Sequence, residues 1–196
     1  AITVDGSVWS WGWGREGSLG HGDKRNRLKP ERIEGFPAGV RMRSVAAAAH
    51  TLALDFTGRL WAWGKNDHGQ VGDGTTIDRL QPVRLEGLER VVSVDAGLLH
   101  SLAADADSNL FSWGRGGGCG HPGFGGATRP RRVEALDQHR AVHVAAMAAA
   151  HSAPPSNAEH TSLKVRPGAT GISVDIDATA VDARAVPVEV RWVGLG

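Results

Sequence analysis

One cassette recurs three times along this chain at intervals of about 50 residues. A repeat of that length dictates an architecture, because each copy is built to stack on the next. The first copy runs Gly6-Ser7-Val8-Trp9-Ser10-Trp11-Gly12, a Gly17–Gly22 turn, Pro30, then Val45 to His50. The second runs Gly58-Arg59-Leu60-Trp61-Ala62-Trp63-Gly64, a Gly69–Gly74 turn, Pro82, then Val94 to His100. The third runs Asn109-Leu110-Phe111-Ser112-Trp113-Gly114, Gly118-Cys119-Gly120-His121, Pro130, then Val144 to His151. Trp11 and Trp63 are 52 residues apart, Trp63 and Trp113 are 50, and His50, His100 and His151 keep the same step. Separate landmarks holding one spacing leave no room for a large insertion within a copy.

The segments are short and punctuated by glycine, which excludes helices. Leu52-Ala53-Leu54 and Leu60-Trp61-Ala62-Trp63 flank Asp55-Phe56-Thr57-Gly58, two strands about a tight turn whose Gly can take positive φ. Val, Leu and Trp suit a pleated, partly buried surface. Pro30, Pro82 and Pro130 are expected to open edge strands, where no ladder N–H is needed. Three to four strands per repeat is the content of a propeller blade. A Trp-Asp blade signature and tyrosine are both absent, and the 27 glycines fall at turns rather than on helix faces. The Ala46–Ala49 and Ala145–Ala150 runs are read as buried strand ends from their place in the repeat.

The combined pattern resembles the regulator-of-chromosome-condensation repeat. Its clearest copy is Gly58-x-x-Trp61-x-Trp63-Gly64, Asn66-Asp67-His68-Gly69-Gln70-Val71-Gly72-Asp73-Gly74, Pro82-x-x-Leu85 and Val94-Asp95-Ala96-Gly97-Leu98-Leu99-His100. The resemblance covers residues 1 to about 152, with repeats at about 5–54, 57–104 and 108–152. The third copy departs most: its Gly116–Gly120 turn is short, and Met147 stands where Gly is expected before His151. The implied fold is all-β: a partial β-propeller of about three four-stranded antiparallel blades. Residues 153–196 form a linker and a divergent, irregular tail. There Ile172-x-Val174-x-Ile176 and Val186-x-Val188-x-Val190-x-Trp192 alternate with the period of strands and suggest a β-hairpin.

A seven-bladed ring, as the resemblance implies, needs roughly 350 residues at about 50 per repeat. A chain of 196 residues predicts part of a ring, either a piece of a longer polypeptide or a chain that completes its ring by self-association. A net charge of +1 supplies no general field for nucleic acid or membrane. No run approaches the ~20 apolar residues of a membrane helix. The single cysteine, Cys119, excludes an internal disulfide framework and fits a reducing, intracellular compartment, cytoplasmic or nuclear.

Several motifs take a bland reading. Gly12-Trp13-Gly14-Arg15-Glu16-Gly17 fits a dinucleotide fingerprint, but another Gly-rich turn follows where the phosphate-binding helix should start. His50, His100 and His151 fall one per repeat, which suits a hydrogen bond within each blade better than a metal set. His139 and His143 would face together only on a helix. Trp11, Trp63 and Trp113, with Gly12, Gly64 and Gly114, are assigned to the repeat's structure, and the strand tryptophans to packing between blades. Trp13 is expected to be exposed, since Lys65 and Arg115 occupy its place in the other copies. Lys24-Arg25-Asn26-Arg27-Leu28-Lys29 and Arg129-Pro130-Arg131-Arg132 could form a basic rim, but nearby Asp23, Glu31, Glu34 and Glu134 favour a solvated loop.

No catalytic constellation, cofactor motif or metal set emerges, and no enzyme is required. The resemblance implies contacts through propeller faces: scaffolds and modules of ubiquitin ligases, guanine-nucleotide exchange on a Ran- or Rab-like small GTPase, or ultraviolet-B reception. Exchange-factor relatives can carry an acid before the repeat His, and the photoreceptor carries Gly-Trp-Arg-His-Thr there. Here the equivalents are Ala48-Ala49-His50, Leu98-Leu99-His100 and Ala149-Ala150-His151. That disfavours photoreception and weakens exchange. The expectation is a protein-interaction module, with chromatin binding through the basic rim and nucleotide exchange as alternatives. The candidate partner-binding residues are Trp13, Arg15, Glu16, Lys65, Asn66, Asp67, His68, Asp73, Leu98 and Leu99.

Overall fold

The computed structural model describes residues 1–116, 119–121, 125–136 and 143–146, together with the backbone of 163–168 and 171–176. Two compact units are present, Ala1–Ser152 and Ala153–Gly196. In the first, two antiparallel four-stranded sheets are complete. One contains β3 (Met42–Ala47), β4 (His50–Asp55), β5 (Leu60–Gly64) and β6 (Arg79–Arg84), hydrogen-bonded in that order. The next contains β7 (Val91–Ala96), β8 (His100–Asp105), β9 (Leu110–Gly114) and β10 (Ala127–Arg132). Ahead of them lies a half-blade, β1 (Trp9–Gly12) paired with β2 (Arg27–Arg32), extended by an Ile2↔Val8 bridge. The all-β expectation and the four-stranded antiparallel blade both hold.

Sequence repeat and blade are out of phase. One repeat supplies the outer two strands of a blade and the inner two of the next, because the tight hairpin at Asp55–Gly58 joins β4 to β5 across the repeat boundary. Asp55 Oδ1 organises that turn by accepting from Thr57 N, Thr57 Oγ1 and Arg59 N at 2.7–2.9 Å, and Arg59 Nε reaches Oδ2 at 2.7 Å. The first copy swaps the pair: Thr3 precedes Asp5, and the Thr3 hydroxyl donates to the Asp5 carboxylate. The turn needs positive φ at its fourth residue, met by Gly6 (82°) and Gly58 (83°) but by Ser108 (67°) in the third copy. A serine there carries the strain of the left-handed region. Ser108→Gly is therefore expected to raise stability by about 0.5–1 kcal/mol, read as a higher urea midpoint.

Contrary to the expectation from sequence, the prolines do not open their strands; each lies inside one. In every blade three residues on the outer strand oppose a single tryptophan: Leu28–Pro30 across from Trp11, Leu80–Pro82 from Trp63, and Thr128–Pro130 from Trp113. The bulge suspends the ladder there, so proline forfeits no hydrogen bond.

Two apolar clusters join neighbouring sheets. Val8, Ile33, Met42, Ala53, Trp61 and Trp63 lie between the half-blade and the first full blade. Leu52, Leu54, Leu60, Val71, Leu85, Val91, Ala103 and Trp113 are among those between the two full blades. The first alanine run corrects the sequence reading: Ala47 and Ala48 are exposed. Ala47 ends β3, which has one hydrogen-bonded neighbour, and Ala48 lies in the loop beyond it. Residues 147–150 of the second run lie outside the described residues.

In the second unit, β11 (Leu163–Gly168) pairs antiparallel with β12 (Gly171–Ile176). The alternating Ile172–Ile176 segment is thus a strand, with 163–168 as its partner. Val186–Trp192, Met147, His139 and His151 lie outside the described residues. Among the described residues no helix is long and apolar enough to cross a membrane.

Candidate functional site: the loop face of the blades

The strand register sends two sets of loops to one end of the blades. The β3–β4 and β7–β8 turns (47–50 and 96–100) lie there, as do the long loops after β1, β5 and β9 (12–27, 64–79 and 114–127). All ten candidate partner-binding residues fall in these loops.

The long loops dock blade on blade. Trp63 Nε1 donates to Ser18 O in the preceding loop at 3.0 Å, and Trp113 Nε1 to Gln70 O at 2.8 Å. The Thr51 hydroxyl joins it on Ser18 O at 3.3 Å, and Ser101 Oγ joins on Gln70 O at 2.8 Å. Glycine allows the approach: a Cβ at Gly20 would lie 2.8 Å from Trp63 Nε1, and one at Gly72 2.5 Å from Trp113 Nε1. Both glycines also have positive φ, 79° and 91°.

His50 is fully buried and lies 2.6 Å from Ser101 Oγ. Because Ser101 spends its own proton on Gln70 O, His50 Nε2 must be the protonated nitrogen. Its Nδ1 has no hydrogen-bond partner among the described residues. Burial, with the nearby His100, pushes the imidazole pKa down to about 4. His50 is thus a neutral donor between blades. Burial likewise lowers the pKa of His100.

The tryptophans separate sharply. Trp63 and Trp113 are 1% and 0% exposed, whereas Trp11, expected in the same packing, is 49% exposed. It belongs to the half-blade, and no preceding loop is present among the described residues to receive it. Trp13 is 74% exposed. The loop carrying it is fixed at two points: Ser18 Oγ donates to Trp13 O at 3.0 Å, and Gly14 N donates to Asn26 Oδ1 at 3.0 Å. Arg15 is exposed beside it, and Glu16 sits at φ 52° within a short 3-10 turn.

Two of the candidates are interior supports instead. Asn66 is fully buried; its amide donates to Thr75 O and Ile77 O at 3.1 and 3.0 Å, and its Oδ1 accepts from Val71 N at 2.9 Å. Asp73 is tied to Arg79 and accepts from Thr75 N and Oγ1. Burial raises the Asp73 pKa, but these donors outweigh it and hold the carboxyl below its ordinary range. A polar residue in a long loop reads as exposed from sequence, whereas a loop of this length needs an internal hydrogen-bonding hub. Lys65 pairs with Asp67 at 3.2 Å, and His68 stands 3.9 Å from the same carboxylate. Leu98 and Leu99 are half-buried.

One device went unread in the sequence. Ser10 Oγ donates to Leu19 O at 2.7 Å and meets His21 Nε2 at 2.9 Å. Ser112 Oγ does the same with Cys119 O and His121. The second copy has Ala62 and Asp73 at these places, and there Asn66, Asp73 and Arg79 hold the loop. The linked Ser/His and Ala/Asp choices were visible by comparing the copies with one another.

Antiparallel four-stranded blades, keyed by a tryptophan seated on a glycine turn, define a repeat propeller. The sequence profile described as Regulator of chromosome condensation (RCC1) repeat matches residues 5–54 and 57–104. The chain belongs to that family. It is 36% identical over 141 residues to the ultraviolet-B receptor UVR8 of Arabidopsis thaliana, covering 69% of this chain and 32% of UVR8. It is 37% identical over 144 residues to the E3 ubiquitin-protein ligase HERC2 of Homo sapiens, covering 70% of this chain and 3% of that protein. Among solved structures, Prp20p of Saccharomyces cerevisiae superposes with a TM-score of 0.68 at 27% identity, over 76% of this chain and 39% of Prp20p. The chain spans less than two fifths of the length of each of these relatives.

Proposed function

We propose that this chain is a protein-docking module whose loop face, led by Trp13, receives a partner. The observation that carries this reading is an exposed indole on a loop pinned at two points. Such an indole offers a large contact area at little entropic cost, and Trp with Arg dominates the energetic centres of interfaces. Arg15 stands beside it, and the next loop presents Lys65, Asp67 and His68. The solved Prp20p structure is described together with binding to Gsp1p and histones, and a second structure of that protein holds it bound to Kap60. Both accord with docking. The test compares proteins recovered with wild type, with Trp13→Ala and with Phe56→Ala. Phe56 lies at the opposite end of the blades and is 62% exposed. Partners lost only with Trp13→Ala are expected; equal recovery with all three chains would sink the reading.

Nucleotide exchange on a small GTPase is a narrower form of the same docking. It predicts faster GDP release in a GTPase panel, blunted by Trp13→Ala; unchanged release across the panel removes it. The basic-rim reading is less well supported. Lys24 pairs with Asp78 and Arg27 with Asp23 and Glu31, so part of the rim's charge is neutralised internally. Chromatin binding through this rim would weaken steeply with added salt.

A further inference from the structure

The 12–27 loop gathers three exposed side chains at one spot of the loop face. Gly14 lies so close to the returning limb of its own loop that a Cβ there would collide with Arg25 O. Gly14 N also donates to Asn26 Oδ1 at 3.0 Å. This contact sets Arg25 beside the Trp13–Arg15 segment. Trp13 is 74% exposed, and Arg15 and Arg25 are exposed with it.

The charges of the loops are unevenly matched. Arg27 holds both oxygens of Asp23, at 3.2 and 3.0 Å. Lys65 faces Asp67, Arg79 faces Asp73, and Lys24 faces Asp78. Of the carboxylates in the 12–27 and 64–79 loops, only the half-buried Glu16 is in no ion pair among the described residues. Arg15 and Arg25 form none either, so the spot around the indole keeps a surplus of positive charge.

This end of the blades faces solvent in the middle of the stack as well as at its side. Arg15 and Arg25 have counterparts 52 residues on, Asp67 and Ile77, in the blade with a neighbour on each side. Both counterparts are exposed, Ile77 by 65%. Lys65, at the place of Trp13, keeps 33% of its side chain in solvent there.

We infer that this spot takes an acidic segment of a partner protein, with an apolar side chain packed on the Trp13 indole and carboxylates on Arg15 and Arg25. The inference rests on the docking reading above and adds the partner's chemistry to it. Charge complementarity selects the occupant. A neutral partner would cover two guanidinium groups with nothing to answer their charge, which costs binding. Carboxylates accept from the guanidinium fork at two points and fix register. A nucleic-acid backbone would bring charge but no apolar group for the indole, and neighbouring Lys24 and Arg27 already hold carboxylates.

An array of random peptides of about 12 residues, probed with the labelled 196-residue chain, tests it. Bound peptides are expected to be enriched in Asp and Glu around one large apolar residue. Fluorescence anisotropy then gives the Kd of the best acidic peptide. The double variant Arg15→Glu/Arg25→Glu reverses two exposed charges that no ion pair in the fold uses. It is expected to weaken that peptide at least about tenfold, with a smaller loss for Arg15→Gln/Arg25→Gln. A wild-type chain that selects no peptides, or neutral or basic ones, overturns the inference. So does undiminished binding by the Glu variant. Displacement by duplex DNA as readily as by unlabelled peptide would mark a site for any polyanion and also overturns it. Trp13→Ala separates this inference from the docking reading. Peptides lost with Trp13→Ala but carrying no acidic bias overturn the inference and leave that reading standing. Peptides bound as tightly by Trp13→Ala as by wild type sink both.

Discussion

Trp63→Ala is expected to cost about 3–5 kcal/mol of stability, the range for emptying a large aromatic from a core. Trp113→Ala should cost as much. Both side chains are almost completely buried, and each indole N–H is bonded to the preceding loop. Truncation leaves a cavity at the junction, and it leaves Ser18 O or Gln70 O without its indole donor. Phe36 also loses an edge-on partner, its ring centroid being 5.8 Å from that of Trp63. Trp11→Ala removes the equivalent side chain from a site where half of it already faces water. Its expected cost is below about 1 kcal/mol. Urea unfolding followed by far-ultraviolet circular dichroism distinguishes these values. Equal losses for Trp11→Ala and Trp63→Ala would show that the junctions do not supply the stability assigned to them.

That contrast marks what the sequence could and could not disclose. Trp11, Trp63 and Trp113 are the same letter in the same cassette, so their roles were legible and their environments were not. Burial of a repeat tryptophan depends on the blade before it, which is a property of the stack. The phase of repeat against blade was hidden for a related reason. Periodicity fixes a spacing and leaves the starting point open; only the strand pairing shows that Asp55–Gly58 lies inside a blade. The proline positions were readable as ladder-free sites, but a three-residue bulge opposite the tryptophan has no signature beyond the proline itself.

The loops were the hardest part. Composition placed Asn66 and Asp73 with Lys65, Asp67 and His68 as polar loop residues, yet the first two face inward. The physical cause is the long connection between β5 and β6, whose backbone amides and carbonyls need partners away from water. Asn66 supplies both a donor and an acceptor at its centre. Trp13 could be set apart because its equivalents are charged, and the structure places it in solvent.

Acidification from pH 7 to pH 5 is expected to lower stability by about 2 kcal/mol through His50 alone. The sign follows from where the proton binds. The unfolded imidazole titrates near 6.5, whereas burial holds the folded one down to about 4. Between these values the unfolded chain takes up a proton that the folded chain refuses, so stability falls as pH drops through that window. Below about pH 4 both states carry the proton, and the loss levels off at roughly 3 kcal/mol. His100 shifts in the same direction and adds to the effect. The carboxylates act in a lower window. Asp55 is raised by burial, but its bonds to Thr57 and Arg59 leave it net below its ordinary value. Its stabilising contribution persists above the unfolded carboxylate pKa and is lost only as pH falls through the folded one. His50→Gln keeps an N–H able to reach Ser101 and removes the titrating ring. Its urea midpoint is expected to be lower than wild type at pH 7 and to change much less between pH 7 and 5. If the variant keeps the full wild-type decline over that interval, the acid sensitivity arises elsewhere and the buried, neutral interblade role of His50 is wrong.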